Sequence, residues 1–152
     1  MAKDVLIKLG VDAHVLYPLA NNPVNVNANC ELKDDNNGCI PSGTNIEDFV
    51  STVYYGKWAT WEGYTLNELG QFKEKDYSII IDSIDYEYGI EVLANKKNKR
   101  KDKSKKTNAK VKECGDDTVE EEEETYMITF SIRKKNSDTK TFTIDPKLKG
   151  YN

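Results

Sequence analysis

Ser83-Ile84-Asp85-Tyr86-Glu87-Tyr88-Gly89-Ile90-Glu91-Val92 and Tyr126-Met127-Ile128-Thr129-Phe130-Ser131-Ile132-Arg133 carry the strongest structural signal in the chain. In the first, Ile84, Tyr86, Tyr88, Ile90 and Val92 alternate with residues that are polar or small without exception. In the second, Tyr126, Ile128, Phe130 and Ile132 alternate with Met127, Thr129, Ser131 and Arg133. Period-two alternation places one face on a core and the other in water, the pattern of a half-buried strand. Asn136-Ser137-Asp138 then turns the chain, and Thr141 to Asp145 returns with Phe142 and Ile144 inward, stopping at Pro146. The expectation is antiparallel pairing of Ile84–Leu93 with Thr125–Arg133, and of the latter with Thr141–Asp145.

Working outward, Val5 to Val11 reads as a first strand closed by Gly10 and Asp12, and Ala13 to Leu19 as a second apolar stretch halted at Pro18. Val24, Val26, Ala28 and Cys30 alternate with asparagines, which predicts another half-buried strand. Asp34-Asp35-Asn36-Asn37-Gly38 is dense turn chemistry. Thr44-Asn45-Ile46-Glu47 fits a capping box, and Ile46, Phe49, Val50 and Val53 share a helical face, so a helix is expected there, stopped by Gly56. Thr65-Leu66-Asn67-Glu68 is a second capping-box match before Gly70. The predicted class is mostly β (β-rich α+β): a small antiparallel sandwich or barrel with one short helix.

With 152 residues the chain is expected to form one domain. Charge is unevenly spread. Residues 1–94 carry 6 Lys and Arg against 15 Asp and Glu, a net of −9, and residues 95–152 carry 16 against 11, a net of +5. Such a split points to electrostatic complementarity within the chain or between copies. No apolar run approaches the 18 residues of a membrane span. Cys30, Cys39 and Cys114 are odd in number and follow no secretion signal, so thiols in a cytoplasmic setting are expected. A Cys/His zinc site would need all three together with His14, the single histidine; no metal and no cofactor is expected.

The least core-like stretch is 95–124, read as a charged arm or loop inserted between two strands. Its basic limb holds Lys96, Lys97, Lys99, Arg100, Lys101 and Lys103, and its acidic limb Glu120, Glu121, Glu122, Glu123 and Glu124. If the chain folds back near 108–110, the limbs face each other, and each opposed pair adds roughly 0.2–1 kcal/mol. The arm is therefore a candidate contact with another subunit. The run 96–106 alternatively neutralises phosphates of a nucleic acid, although no aromatic is interleaved to stack on bases. Tyr55, Trp58, Trp61 and Tyr64, in the aromatic-rich segment 54–64, form either core, a protein interface or a carbohydrate platform. Asp34, Asn36 and Gly38 lack the Gly and Glu positions of a calcium loop. His14 lies in an apolar stretch and reads as structural. No phosphate loop, dinucleotide fingerprint or nucleophile elbow is present, so no catalytic residue is assigned and no enzyme is expected.

The opening Met1-Ala2-Lys3-Asp4-Val5-Leu6-Ile7-Lys8-Leu9-Gly10-Val11-Asp12 resembles the first strand of some phage tail tape-measure proteins. The likeness covers 12 of 152 residues, and the long helical continuation of that family is missing here. Together these features predict a non-enzymatic assembly protein acting through protein–protein contacts, in its most concrete form a bacteriophage capsid, connector or tail accessory component found in the virion.

Overall fold

Alternation along the chain resolves into two packed sheets in the computed structural model, which describes residues 2–36, 38–66, 76–94, 106–113 and 121–152. The elements are β1 (Val5–Val11), α1 (Ala13–Leu16), α2 (Pro23–Asn29), β2 (Cys30–Asp34), β3 (Cys39–Ile40), a 3₁₀ turn (Ile46–Asp48), β4 (Val50–Tyr54), β5 (Trp58–Thr65), β6 (Tyr77–Gly89), β7 (Lys106–Lys110), β8 (Glu122–Lys134), β9 (Thr139–Ile144) and β10 (Lys147–Tyr151). One sheet runs β3-β2-β1-β5-β7. The other runs β4-β10-β8-β6, with β9 also on β8. The class is a β-rich α+β sandwich, and the sheets do not close into a barrel.

The two expected antiparallel ladders are present. β6 pairs with β8 from Tyr77↔Lys134 to Gly89↔Glu124, and β8 pairs with β9 from Ile128↔Ile144 to Arg133↔Thr139. Tyr126, Ile128, Phe130 and Ile132 are fully buried, with Phe142 and Ile144 beside them. Past Pro146 the chain continues along the same edge of β8 as β10, a strand that the alternation did not reveal. The sheets are mixed rather than antiparallel: β1 runs parallel to β5, and β10 parallel to β4. Trp61 of one sheet donates its indole N–H to the Tyr126 hydroxyl of the other at 3.0 Å, deep in the core.

Four expectations are corrected. Residues 23–29 form a helix, not a strand. The Asn22 side chain caps it by accepting from the Asn25 N–H, and Pro23 occupies its first turn, where a missing N–H does no harm. Residues 44–53 form one 3₁₀ turn followed by strand β4. The Asn45 side chain accepts from Glu47 N–H, but β-branched Val50, Thr52 and Val53 then extend and pair with β10. The second capping-box match falls on Thr65, the end of β5, and on residues 67–70, outside the described residues.

The third correction concerns β6. Its register slips between Ile81 and Ser83 and again between Tyr86 and Tyr88, so the inward side changes along the strand. Ile79, Ile81 and Ile84 are buried, Tyr86 shares the face of Ile84 but is 37% exposed, Tyr88 and Ile90 past the second slip are exposed, and Val92 beyond the strand is buried as expected. A bulge inserts one residue and exchanges the two faces. The fourth concerns 95–124, which does not leave the sandwich as one limb. Lys106–Lys110 is the edge strand β7 on β5, and Glu122–Glu124 open β8. A deletion of 97–123 would therefore remove a strand rather than trim an arm.

Candidate interaction surfaces

The acidic run shows how strand geometry sorts like charges. Successive residues of β8 point to opposite faces. Glu122 and Glu124 are buried, Glu123 is half-buried and Glu121 is exposed. Glu122 pairs with the Lys112 ammonium. Glu123 lies 3.9 Å from Lys149 Nζ, and Glu121 accepts from the Tyr151 hydroxyl at 3.0 Å. Glu124 is completely buried and accepts from the backbone N–H groups of Val92 and Leu93 at 2.7 and 3.3 Å. The acidic limb is thus held mainly by its own domain, and burial of Glu122 and Glu124 overturns the expectation that these charges stay outside. Paired or hydrogen-bonded carboxylates are the ones a core tolerates. Lys96, Lys97, Lys99, Arg100, Lys101, Lys103 and Glu120 lie outside the described residues.

The four aromatic candidates do not share a surface. On β5, Trp61 points inward and is fully buried, while Trp58 and Tyr64 point outward some six residues apart, roughly 20 Å along the strand. Trp58 is 46% exposed and carries Lys110 Nζ 5.3 Å from its ring centroid. Tyr64 donates its hydroxyl to Glu31 at 2.6 Å and lies under Lys33. Tyr55 is buried beneath Lys112, with its ring filling the space above Gly150. A stacking platform made of all four rings is therefore not formed.

Two groups that sequence reading did not single out stand at opposite ends of the β6–β8 ladder. The β8–β9 turn carries Arg133, Lys134, Lys135 and Lys140, and two of these, Lys134 and Lys140, lie against tyrosine rings. Lys140 and Lys134 lie 4.8 and 5.6 Å from the Tyr17 centroid, and Lys134 lies 5.8 Å from that of Tyr77. Arg133, Lys134 and Lys135 line an open depression with Asp76, Tyr77 and Asn136. Among the described residues no carboxylate pairs with any of the four cations. Towards the other end, Glu87 feels the charge of Asp145 and Glu47, and Glu47 and Asp145 line one hollow. Local desolvation first, then these two carboxylates, raise its pKa above the ordinary value of 4.5. The Lys134-Lys135 pair was visible in the sequence. The acidic group was not, because carboxylates from three separate segments meet only in the fold.

The remaining candidates are structural. Asp34 accepts from the N–H groups of Asn36 and Gly38, both at 2.8 Å, and from the Ser51 hydroxyl, so its carboxylate ties a turn. His14 is exposed on α1 and lies 3.5 Å from the Tyr77 hydroxyl. Cys30 and Cys39 are both free thiols, the first buried and the second exposed. Burial, and then the Asp12 charge, push the Cys30 thiol well above its ordinary range. Cys114 lies outside the described residues. Among the described residues no three His, Cys, Asp or Glu side chains gather as a metal site, and no helix is long and apolar enough to cross a membrane.

No protein-family model and no curated protein matches the chain. Its fold is similar to the crystal structure of the inclusion body protein PixA from Burkholderia cenocepacia, with a TM-score of 0.63 and 10% identity over 99% of this chain and 97% of that one. This finding overturns the bacteriophage reading: a solved structure similar to this chain over nearly its whole length is a bacterial inclusion body protein, not a capsid, connector or tail component of a virion, and the short tape-measure likeness of residues 1–12 carries no further weight.

Proposed function

We propose that this chain is a self-associating structural protein, without an enzymatic role, whose copies pack into protein bodies inside a bacterial cell. The observation that supports the reading is the end-to-end correspondence of its fold with an inclusion body protein, which leaves almost no part of either chain outside the match. The surface is consistent with it. β6 is thirteen residues long and closes one edge of its sheet, with Tyr88 and Ile90 exposed at its far end. Among the described residues no further strand pairs with its outer edge, and a strand edge can add a strand from a second chain.

Sedimentation velocity of natively purified protein over a wide concentration range tests the proposal, together with thin-section electron microscopy of expressing cells. Concentration-dependent growth to large species, and dense bodies that redissolve as folded protein, are the expected results. A monomer at every concentration, with protein spread evenly through the cell, would overturn it.

A further inference from the structure

β6 and β8 run antiparallel, so what lies at the start of β6 lies at the end of β8. That arrangement separates charge. The basic group sits level with Tyr77↔Lys134, and Glu87 sits level with Tyr126, eight residues back along β8. At roughly 3.3 Å per residue Lys134 and Glu87 are about 26 Å apart, and the nearest members of the two groups, Lys140 and Asp145, about 17 Å. They are distinct surfaces of one molecule, too far apart for direct ion pairing within a copy.

Each group carries charge that its own domain leaves uncompensated. At the basic end, four cations face two nearby acids, Asp76 and Asp138, and form no ion pair with them. Lys134 and Lys140 rest on tyrosine rings. At the acidic end, Glu47, Glu87 and Asp145 make no ion pair with a described cation, even though Lys147 is two residues from Asp145. Glu47 and Asp145 line one hollow at this end, and Glu87 lies within reach of both charges, so an incoming cation would relieve their mutual repulsion. Beside Glu87, Tyr88 and Ile90 are 63% and 51% exposed and add apolar area to the acidic surface.

Building on the self-association reading, we propose that copies associate head to tail, with the basic end of one sandwich (Arg133, Lys134, Lys135, Lys140) seated on the acidic end (Glu47, Glu87, Asp145, flanked by Tyr88 and Ile90) of the next. Such a contact is heterologous: the two surfaces differ, so each added copy presents a fresh acceptor and the array does not close after two. Like-signed ends repel in the alternative two-fold arrangements, which sets the polarity.

The test uses two charge-reversed full-length proteins, Lys135→Glu/Lys140→Glu and Glu47→Lys/Glu87→Lys, all at exposed positions. Sedimentation at low salt is measured for the parent, for each variant and for their equimolar mixture, with circular dichroism as a check on folding. Each variant alone is expected to associate at least about tenfold more weakly than the parent, because every contact then meets like charge. The mixture is expected to recover to within about threefold of the parent, because the all-acidic copy alternates with the all-basic one. Should a reversal disturb folding, Lys135→Gln/Lys140→Gln replaces it and is expected to weaken association in the same direction. A parent that associates while both variants match it overturns the head-to-tail contact and leaves self-association standing. Variants that weaken without recovery on mixing also overturn it, since the two ends then do not meet. Loss of retention on an RNA or heparin column by the basic-end variant, with association intact, assigns that end to polyanions instead. A parent that stays monomeric refutes the underlying self-association reading itself.

Discussion

Replacing Glu124 tests whether the acidic run belongs to the interior as the geometry requires. Its side chain is fully buried, and one oxygen accepts from two backbone N–H groups, those of Val92 and Leu93, which are themselves in the core. Glu124→Ala removes the acceptor and strands both donors. An unsatisfied buried N–H costs about 1–3 kcal/mol, so the pair sets an expected loss of about 2–6 kcal/mol. Glu124→Gln retains a carbonyl oxygen at the same place and loses only the charge on the acceptor. Hydrogen bonds to charged groups exceed neutral ones by about 1–1.5 kcal/mol each, so this variant should lose about 2–3 kcal/mol. Urea unfolding followed by tryptophan fluorescence, with m-values compared to confirm an unchanged transition, measures both. The order parent, Gln, Ala is the essential result. If Glu124→Ala loses less than about 1 kcal/mol, the carboxylate is not the partner of that segment, and the run belongs outside the fold after all.

Further outcomes follow from other contacts. Tyr126→Phe should destabilise by about 1–3 kcal/mol in urea unfolding, because the buried Trp61 indole N–H loses its acceptor while the ring packing survives. Glu87 has a raised folded-state pKa, so the native state binds the proton more tightly than the unfolded chain, and this group's contribution falls as pH rises through and above 4.5. Glu87→Gln should therefore be more stable than the parent at pH 7 and lose that advantage towards pH 4, as thermal unfolding across pH will read. Native thiol labelling should modify Cys39 at once and Cys30 only on unfolding, and equal labelling of both would contradict the burial of Cys30.

Where alternation was clean and its partner near in sequence, the fold was legible. Tyr126 to Ile132 and Phe142 to Ile144 supply inward faces separated by one turn, and the observed register matches the pattern. Elsewhere local signals competed. Val-Asn alternation over residues 24–29 is compatible with a strand, yet Asn22-Pro23 is a helix-start signal and tertiary contact of Val26 with the core settles the matter. The capping box at Thr44 competed with β-branched residues whose partner strand, β10, lies at the far end of the chain. No local pattern announces a parallel neighbour so distant. The bulges in β6 hide even better, since both sides of a shifted register look alternating. For the surface sites, residue types were visible while groupings were not: Trp58 and Trp61 are close in sequence and on opposite faces of one strand, whereas Glu47 and Asp145 are remote in sequence and line one hollow.

The uneven charge of the sequence acquires a meaning from this topology. Most acids lie in residues 1–94 and most bases in 95–152, and the fold satisfies part of that imbalance internally. Lys106 reaches Glu62 at 3.7 Å across the two halves, while within the second half Lys112 and Lys149 pair with the acidic opening of β8. What is left is not spread at random. β6, from the acidic half, and β8, from the basic half, are laid antiparallel, so the acids near the end of β6 and the bases at the end of β8 are carried to opposite poles of one ladder. A chain whose charges were merely solvating would gain nothing from that separation, since exposed charges more than about 8 Å apart are screened at physiological ionic strength. A chain that must meet copies of itself in one orientation gains a polarity. The core is closed by apolar contacts such as Trp61 on Tyr126, and under the head-to-tail proposal the charges that the core does not use are the ones that choose a neighbour.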